Sequence, residues 1–279
     1  HTREALSRLK HLVVQDIFMT ETAAYADVIL PASAFPEKDG TFTNTDRRVQ
    51  MGRKAINPPG HAKQDWWIIQ EIANRMGLNW NYSDPSDVFF EMQQMMPSLN
   101  GITWDRLLKE SAVTYPCADE NSIGESIIFA DGYPTDSGRG KLVPCDILPP
   151  DEQPDTDFPL ILTTGRLLEH WHTGAMTRRA SVLDTIEPEP FVHVSPTDLV
   201  KRSIKPGEKV RVATKRGMIE LSARSDIGVP DGVMFIPFCY SEAAVNFLTN
   251  PALDPFGKIP ELKFSAASLQ KVDQDVAAE

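Results

Sequence analysis

After Lys205-Pro206-Gly207 the chain reads EKVRVAT, a Lys-Arg-Gly turn, MIELSAR, a Pro-Asp-Gly turn and VMFIPF. Short alternating strands joined by tight turns predict a small closed β-barrel. Two runs upstream belong to the same region. LILTTG is a strand running into glycine. FVHV is another, and it leads into Ser195-Pro196-Thr197-Asp198, a helix start with a Ser cap, Pro at the first position and an acid at the third.

The region before this differs in character. PPDEQPDTDFP (Pro149 to Pro159) is proline-rich, acidic and almost free of apolar residues, and so reads as a linker. The domain expectation is therefore an α/β part over residues 1–155 and a barrel part over residues 156–279. In the first part LVVQDIF and ADVILP are β-rich runs, the second stopped by proline. The stretch from Pro36 to Lys63 is too long for a turn and reads as an excursion over a site. A helix follows, with Asp65 as its cap, Trp66, Ile69, Ile72, Ala73 and Met76 on one face, and Gly77 after its end. A second starts at Asp84-Pro85, and its Met92, Met95 and Met96 read as core filler. A short third helix follows Thr103, and residues 111–150 look irregular.

Apolar residues make up 41% of the 279, enough for a core. The net charge of -11 argues against nucleic acid or an anionic membrane as the main partner. No segment reads as a targeting or membrane sequence, and the scattered Cys117, Cys145 and Cys239 fit a reducing compartment, so a cytoplasmic location is expected. None of the three is in a CxxC pair, so no zinc or iron–sulfur site can be written from them. The chain opens on His1 rather than Met, and a partial chain is the expectation.

Three stretches could carry chemistry. Gln15 and Asp16 end the first strand, where open α/β sheets place ligands, and a carboxylate there can accept from a ribose or from guanine N–H groups. EKDGTFTNTDRR offers Lys38 as a point charge, Gly40 for close approach, neutral donors at Thr41, Thr43, Asn44 and Thr45, and planar forks at Arg47 and Arg48. TTGRLLEHWHTGAMTRR packs Thr, Gly, Arg, Glu, two His and Trp directly after an apolar strand. His170 and His172 could face one way, but no third metal ligand is near. Such donors suit a large polar ligand held by many hydrogen bonds. Phe238, Asn246 and Lys263 lie in a turn-rich segment that, on its own, reads as structural.

QDIF-x-TET, ADVILPAS, EK-x-GT-x-TN-x-DRRVQ and TTGR-x-LEHWHTGAMTRR, in this order and spacing, resemble the C-terminal part of the molybdopterin-guanine-dinucleotide oxidoreductases of the dimethyl-sulfoxide-reductase superfamily. YPCADENSIG and NPALDPFGKIPE make the chain most similar, within that superfamily, to catalytic subunits of cytosolic NAD-dependent formate dehydrogenases. The resemblance implies the end of an α/β domain followed by a six-stranded double-psi β-barrel. It implies bis-molybdopterin guanine dinucleotide with molybdenum or tungsten. Gln15, Asp16, Lys38 and Asp65 would meet one nucleotide. Thr164, Gly165, Arg166, Leu168, Glu169, His170, Trp171, His172 and Thr173 would line pterin and pyrophosphate, and Phe238, Asn246 and Lys263 would make late cofactor contacts. The metal ligand, the residues that handle formate and the iron–sulfur cysteines are expected in an earlier segment, so no catalytic or metal residue is assigned here. The implied partners are the remainder of the catalytic subunit, iron–sulfur and flavin/NAD-binding subunits, and formate. A sibling enzyme such as a nitrate reductase, or a non-catalytic cofactor-binding scaffold, is the alternative.

Overall fold

The computed structural model describes residues 2–272, and the chain divides into two compact units between Pro144 and Cys145. In the first unit α1 (Thr2–Ser7) precedes β1 (Val13–Asp16), which pairs in parallel with β2 (Val28–Pro31), Asp16 opposite Pro31. Both strands therefore end on the same side. The chain returns to that end before α2 (Asp65–Arg75): Ala32 bridges Lys63, and Lys63 N donates to the Pro31 carbonyl at 3.0 Å. This pairing delivers the start of α2 to the strand ends.

The expected excursion is more regular than its composition implied. It folds as a hairpin of β3 (Gly40–Thr43) and β4 (Arg48–Gly52), extended by β5 (Ala112–Thr114) into a three-stranded antiparallel sheet. Asn44 Oδ1 accepts from Arg48 N at 3.0 Å, and Arg47 takes the left-handed conformation (φ 63°) that closes the turn. Only Val49 among these two strands is fully buried, so the alternation that marks a strand was hidden by polar residues on both faces.

α3 (Pro85–Met95) and α4 (Trp104–Glu110) start as expected, with Asp84 accepting from Ser86 N at 2.7 Å and Thr103 from Arg106 N at 3.2 Å. Phe89 and Leu107 from these helices meet Val49, Leu99, Ile102, Val113 and Cys117 in the core of the unit. The methionine stripe is not part of that core: Met92, Met95 and Met96 are exposed, and so are Ile69 and Ile72 of α2 and Met76 just after it. Helical periodicity marks which face is apolar; it does not say what covers it.

The second unit is a closed six-stranded barrel. Its strands are β6 (Leu160–Gly165), β7 (Phe191–Val194), β8 (Lys209–Thr214), β9 (Gly217–Ser225), β10 (Val233–Pro237) and β11 (Ser265–Lys271), with α5 (Ser181–Ile186) and α6 (Pro196–Lys201) between them. The order around the barrel is β10-β6-β11-β8-β9-β7, with β6–β10 and β7–β9 parallel and the other pairs antiparallel. This is the expected double-psi barrel. Its core is built from inward residues of every strand, among them Leu162, Val192, Val194, Val212, Leu221, Met234, Ile236 and Ala267. Ser195 Oγ accepts from Asp198 N at 3.1 Å and caps α6 as its sequence required. β11 was not expected. SAASLQK has little β preference, yet it pairs with both β6 and β8 and closes the barrel.

The linker is docked rather than free. Glu152 pairs with Arg216 Nη1 at 2.5 Å and accepts from Ala266 N at 3.1 Å, while Asp155 pairs with Lys215 at 3.0 Å. No described helix is long and apolar enough to cross a membrane.

Candidate functional site

In the first unit two of the anticipated residues converge on the carboxylate of a third. Gln15 Nε2 donates to Asp65 Oδ1 at 2.6 Å, and Lys38 Nζ bonds Asp65 Oδ2. Asp65 is therefore not the helix cap. It stands at the first position of α2, after the cap residue Gln64, and its carboxylate takes the Gln15 and Lys38 bonds. Burial pushes its carboxyl up, but the bonds from Lys38 and Gln15 and the Lys38 charge outweigh that and hold it below the ordinary carboxylate range. The side chain remains 42% exposed at the strand ends, and each carboxylate oxygen can accept more than the one bond it has. Asp16 turns back on its own chain, accepting from Ile17 N at 2.7 Å and Phe18 N at 3.3 Å.

The Arg47 fork offered by the sequence is already spent. It donates to the carbonyls of Tyr115 (2.6 Å), Glu125 (3.0 Å) and Ser126 (2.9 Å) and so ties the hairpin turn to the irregular segment after β5.

In the second unit the parallel pairing of β6 and β10 sets their carboxyl ends side by side, Pro237 opposite Gly165, with Phe238 N donating to the Gly165 carbonyl at 3.1 Å. β11 runs the other way, so its start lies at the same rim. There Lys263 Nζ donates to the Thr164 carbonyl at 2.6 Å, and Thr164 Oγ1 to the Leu262 carbonyl at 2.9 Å. Gly165 is required by packing, since a Cβ would stand 2.5 Å from the Phe235 ring. Arg166 follows, exposed and with no partner among the described residues.

The loop after β6 brings His172 back onto the rim. Its ring meets the Phe238 ring edge to face with centroids 5.2 Å apart, and its backbone is left-handed at φ 51°. Trp171 and Leu168 are exposed beside it, as is Thr173, and Glu169 is half-buried. His170 points the other way. It is fully buried, with Nε2 2.8 Å from the Glu187 carbonyl and Nδ1 without a partner among the described residues. Asn246 is exposed in a turn that Arg216 buttresses through the Leu248 carbonyl at 2.8 Å. The second unit thus gathers Thr164, Gly165, Arg166, His172, Phe238 and Lys263 at one rim. The described contacts do not join Asn246 to them.

Sequence reasoning passed over the residues that hold this rim: Phe235, Glu187, Arg178, Tyr240, Arg216 and Glu152. Arg178 lay inside a quoted motif, but nothing in its spacing foretold its partners at Asp184 and Glu242.

Two family models match the chain. One, described as Molybdopterin oxidoreductase, covers residues 1–75, which include the Gln15–Lys38–Asp65 cluster; the other, Molydopterin dinucleotide binding domain, covers residues 160–266, which include the whole rim. Residues 1–75 and 160–266 are thus similar to two domains of molybdopterin enzymes. The chain is 47% identical over 98% of its length to the F420-dependent formate dehydrogenase subunit alpha of Methanocaldococcus jannaschii, and 42% identical to the F420-dependent formate dehydrogenase 1 subunit alpha of Methanococcus maripaludis. It spans 41% and 40% of those relatives, so it corresponds to about two fifths of their length. Among solved structures the acetylene hydratase of Pelobacter acetylenicus superposes on 97% of the chain with a TM-score of 0.72 at 20% identity, covering 41% of that protein. This likeness concerns the fold. The dinucleotide-binding domain is the barrel, and its rim is where the anticipated residues of that domain cluster.

Proposed function

We propose that this chain is the dinucleotide-holding portion of a formate dehydrogenase alpha subunit, an oxidoreductase that converts formate to carbon dioxide. What carries the reading is the Asp65 cluster in a chain 47% identical to such a subunit: an ionised, outward-facing carboxylate held by an amide and an ammonium at the ends of parallel strands. A guanine presents adjacent N–H donors, and a carboxylate with free lone pairs on both oxygens suits them. Lys38 keeps Asp65 charged and leaves a cation beside any phosphate that approaches. In the dinucleotide-binding domain the free Arg166 fork suits pyrophosphate, the Phe238–His172 pair offers an aromatic wall, and Lys263 stiffens the strand end from behind.

Bound there, molybdopterin guanine dinucleotide with its metal would supply the two-electron redox centre. The part of this chain is to bind, orient and shield. Gln15, Asp16, Lys38 and Asp65 take one nucleotide. Residues Thr164 to Thr173, with Phe238, Asn246 and Lys263, take the pterin and pyrophosphate, His170 acting from inside the loop. Iron–sulfur clusters of the larger assembly would carry the electrons from formate onward. The family resemblance pointed to NAD as their destination; the names of the relatives favour F420.

The test uses the whole cofactor-loaded enzyme that contains this chain, with its earlier segment and partner subunits, given formate and either F420 or NAD. Formate-dependent reduction of F420 is expected. Reduction of NAD alone would overturn the acceptor, and reduction of neither, the formate assignment. Lys38→Glu and Arg166→Glu should each lower the guanine bound per chain, measured as GMP released by acid hydrolysis.

A further inference from the structure

We propose that Arg178 is a positioning residue that clamps the loop of residues 171–177 to the turn of residues 238–242, and so keeps His172 against Phe238 at the dinucleotide-binding rim. The inference rests on reading that rim as the cofactor surface.

The bonds inside the loop are local: Arg178 N donates to the Gly174 carbonyl at 2.9 Å and Arg179 Nη1 to the Ala175 carbonyl at 2.7 Å. Trp171 N donates to Thr177 Oγ1 at 2.9 Å, and Gly174 N to the Trp171 carbonyl at 2.9 Å. His172 sits at φ 51°, a conformation that residues with a Cβ avoid unless their surroundings impose it. Arg178 supplies the imposition by using every side of its guanidinium. Nη1 lies 2.6 and 2.8 Å from the two carboxylate oxygens of Glu242. Nε donates to Asp184 at 3.0 Å and Nη2 to the Pro188 carbonyl at 3.2 Å. The planar group lies 4.8 Å from the Tyr240 ring centroid.

Gly174 sets the spacing. At φ 75° it lets the loop come so close that an added Cβ would stand 2.8 Å from Arg178 Cγ and 2.9 Å from the Cys239 carbonyl. A second anchor acts on the same stretch. The Glu187 carbonyl accepts from Tyr240 OH at 3.0 Å and is 2.8 Å from His170 Nε2, while the Glu187 carboxylate takes both nitrogens of Arg224 at 3.0 and 2.9 Å. Phe191, Cys239 and Tyr240 form a small apolar cluster with Leu167 under this clamp, separate from the core inside the barrel. Loss of the clamp should therefore loosen the rim while the barrel stays folded. A lysine keeps the charge but cannot reach Glu242, Asp184 and Pro188 together.

The test follows guanine retention in the full-length, cofactor-loaded protein during dialysis, at a temperature where circular dichroism shows every variant folded. Arg178→Ala should lose GMP-yielding cofactor about tenfold faster than the parent, the scale on which outer partners of a bound group act. Glu242→Gln, which keeps the Asp184 and Pro188 bonds, and Arg178→Lys should fall between. Leu221→Ala weakens the barrel core without touching the clamp and should retain guanine like the parent. The clamp is overturned if Arg178→Ala and Glu242→Gln lose guanine at the parent rate while Arg166→Glu loses it faster, or if Leu221→Ala loses it as fast as Arg178→Ala. If Arg166→Glu also behaves as the parent, the rim reading itself falls. Should Arg178→Ala not fold, Glu242→Gln decides.

Discussion

Asp65 shows what one side chain can and cannot reveal in a sequence. An Asp before an apolar helical run has the look of a cap, and the helix does begin there. Its carboxylate is nonetheless engaged 50 residues back along the chain, at Gln15, because the bridge between Ala32 and Lys63 carries the helix start to the strand ends. The engagement has a pH signature. The folded-state pKa is depressed, so the cluster stabilises the fold above the ordinary carboxylate pKa, and that stabilisation is lost as pH falls through the lower folded value. Parent and Asp65→Asn proteins should accordingly differ most in urea midpoint near neutrality and converge below a pH of about 4. A difference unchanged down to the acid limit would mean that the charge on Asp65 contributes nothing. With the side chain 42% exposed, solvent screening keeps the effect small. Cys239, in contrast, is buried, and burial pushes its thiol up to about 11, which keeps it protonated near neutrality.

At the scale of elements, the segment read as a linker turns out to be a strap. Glu152 is only 10% exposed, binds Arg216 and receives the backbone N–H of Ala266 at the start of β11. Arg216 in turn holds the Leu248 carbonyl, next to the turn that carries Asn246. Glu152→Ala leaves a half-buried guanidinium and a strand N–H without their partner and should destabilise the barrel by about 2 kcal/mol in urea unfolding. Asp155→Ala breaks an exposed pair and should leave the midpoint unchanged; equal effects would refute the distinction. Composition marked this stretch as polar and proline-rich, but only two of its acids find basic partners, and those partners lie on a hairpin 60 residues onward. β11 escaped notice for a related reason. Ala266 and Ala267 are fully buried in the barrel through pairing with β6, a placement that no local propensity encodes.

Among the described residues each unit has its own main core, one around Ile102 and Leu107 and one inside the barrel around Val212 and Leu221. Cutting Leu221, fully buried, to Ala should cost about 2–5 kcal/mol. In native-state hydrogen exchange that loss should appear on the slowest amides of β8 to β10 and leave those of β3 to β5 untouched. A uniform fall across both units would show that the chain unfolds as one.

The barrel was legible because strand alternation and tight turns are local: LILTTG, FVHV, EKVRVAT, MIELSAR and VMFIPF each carry their period within a few residues. The α/β opening, the helix starts at Asp84 and Thr103, and the richness in ligand-type side chains of residues 163–179 were legible on the same ground. Tertiary structure decided which of those side chains are free. The Arg47 fork looks like a ligand in the sequence, and Arg178 lies unremarked in a ligand-rich motif, but both are taken up by carbonyls and carboxylates elsewhere in the chain, whereas Arg166 and the exposed side of Asp65 remain available. A side chain's type is written locally. Whether it is spent on the fold or left for a cofactor depends on partners that only chain folding brings within 3 Å or so of it.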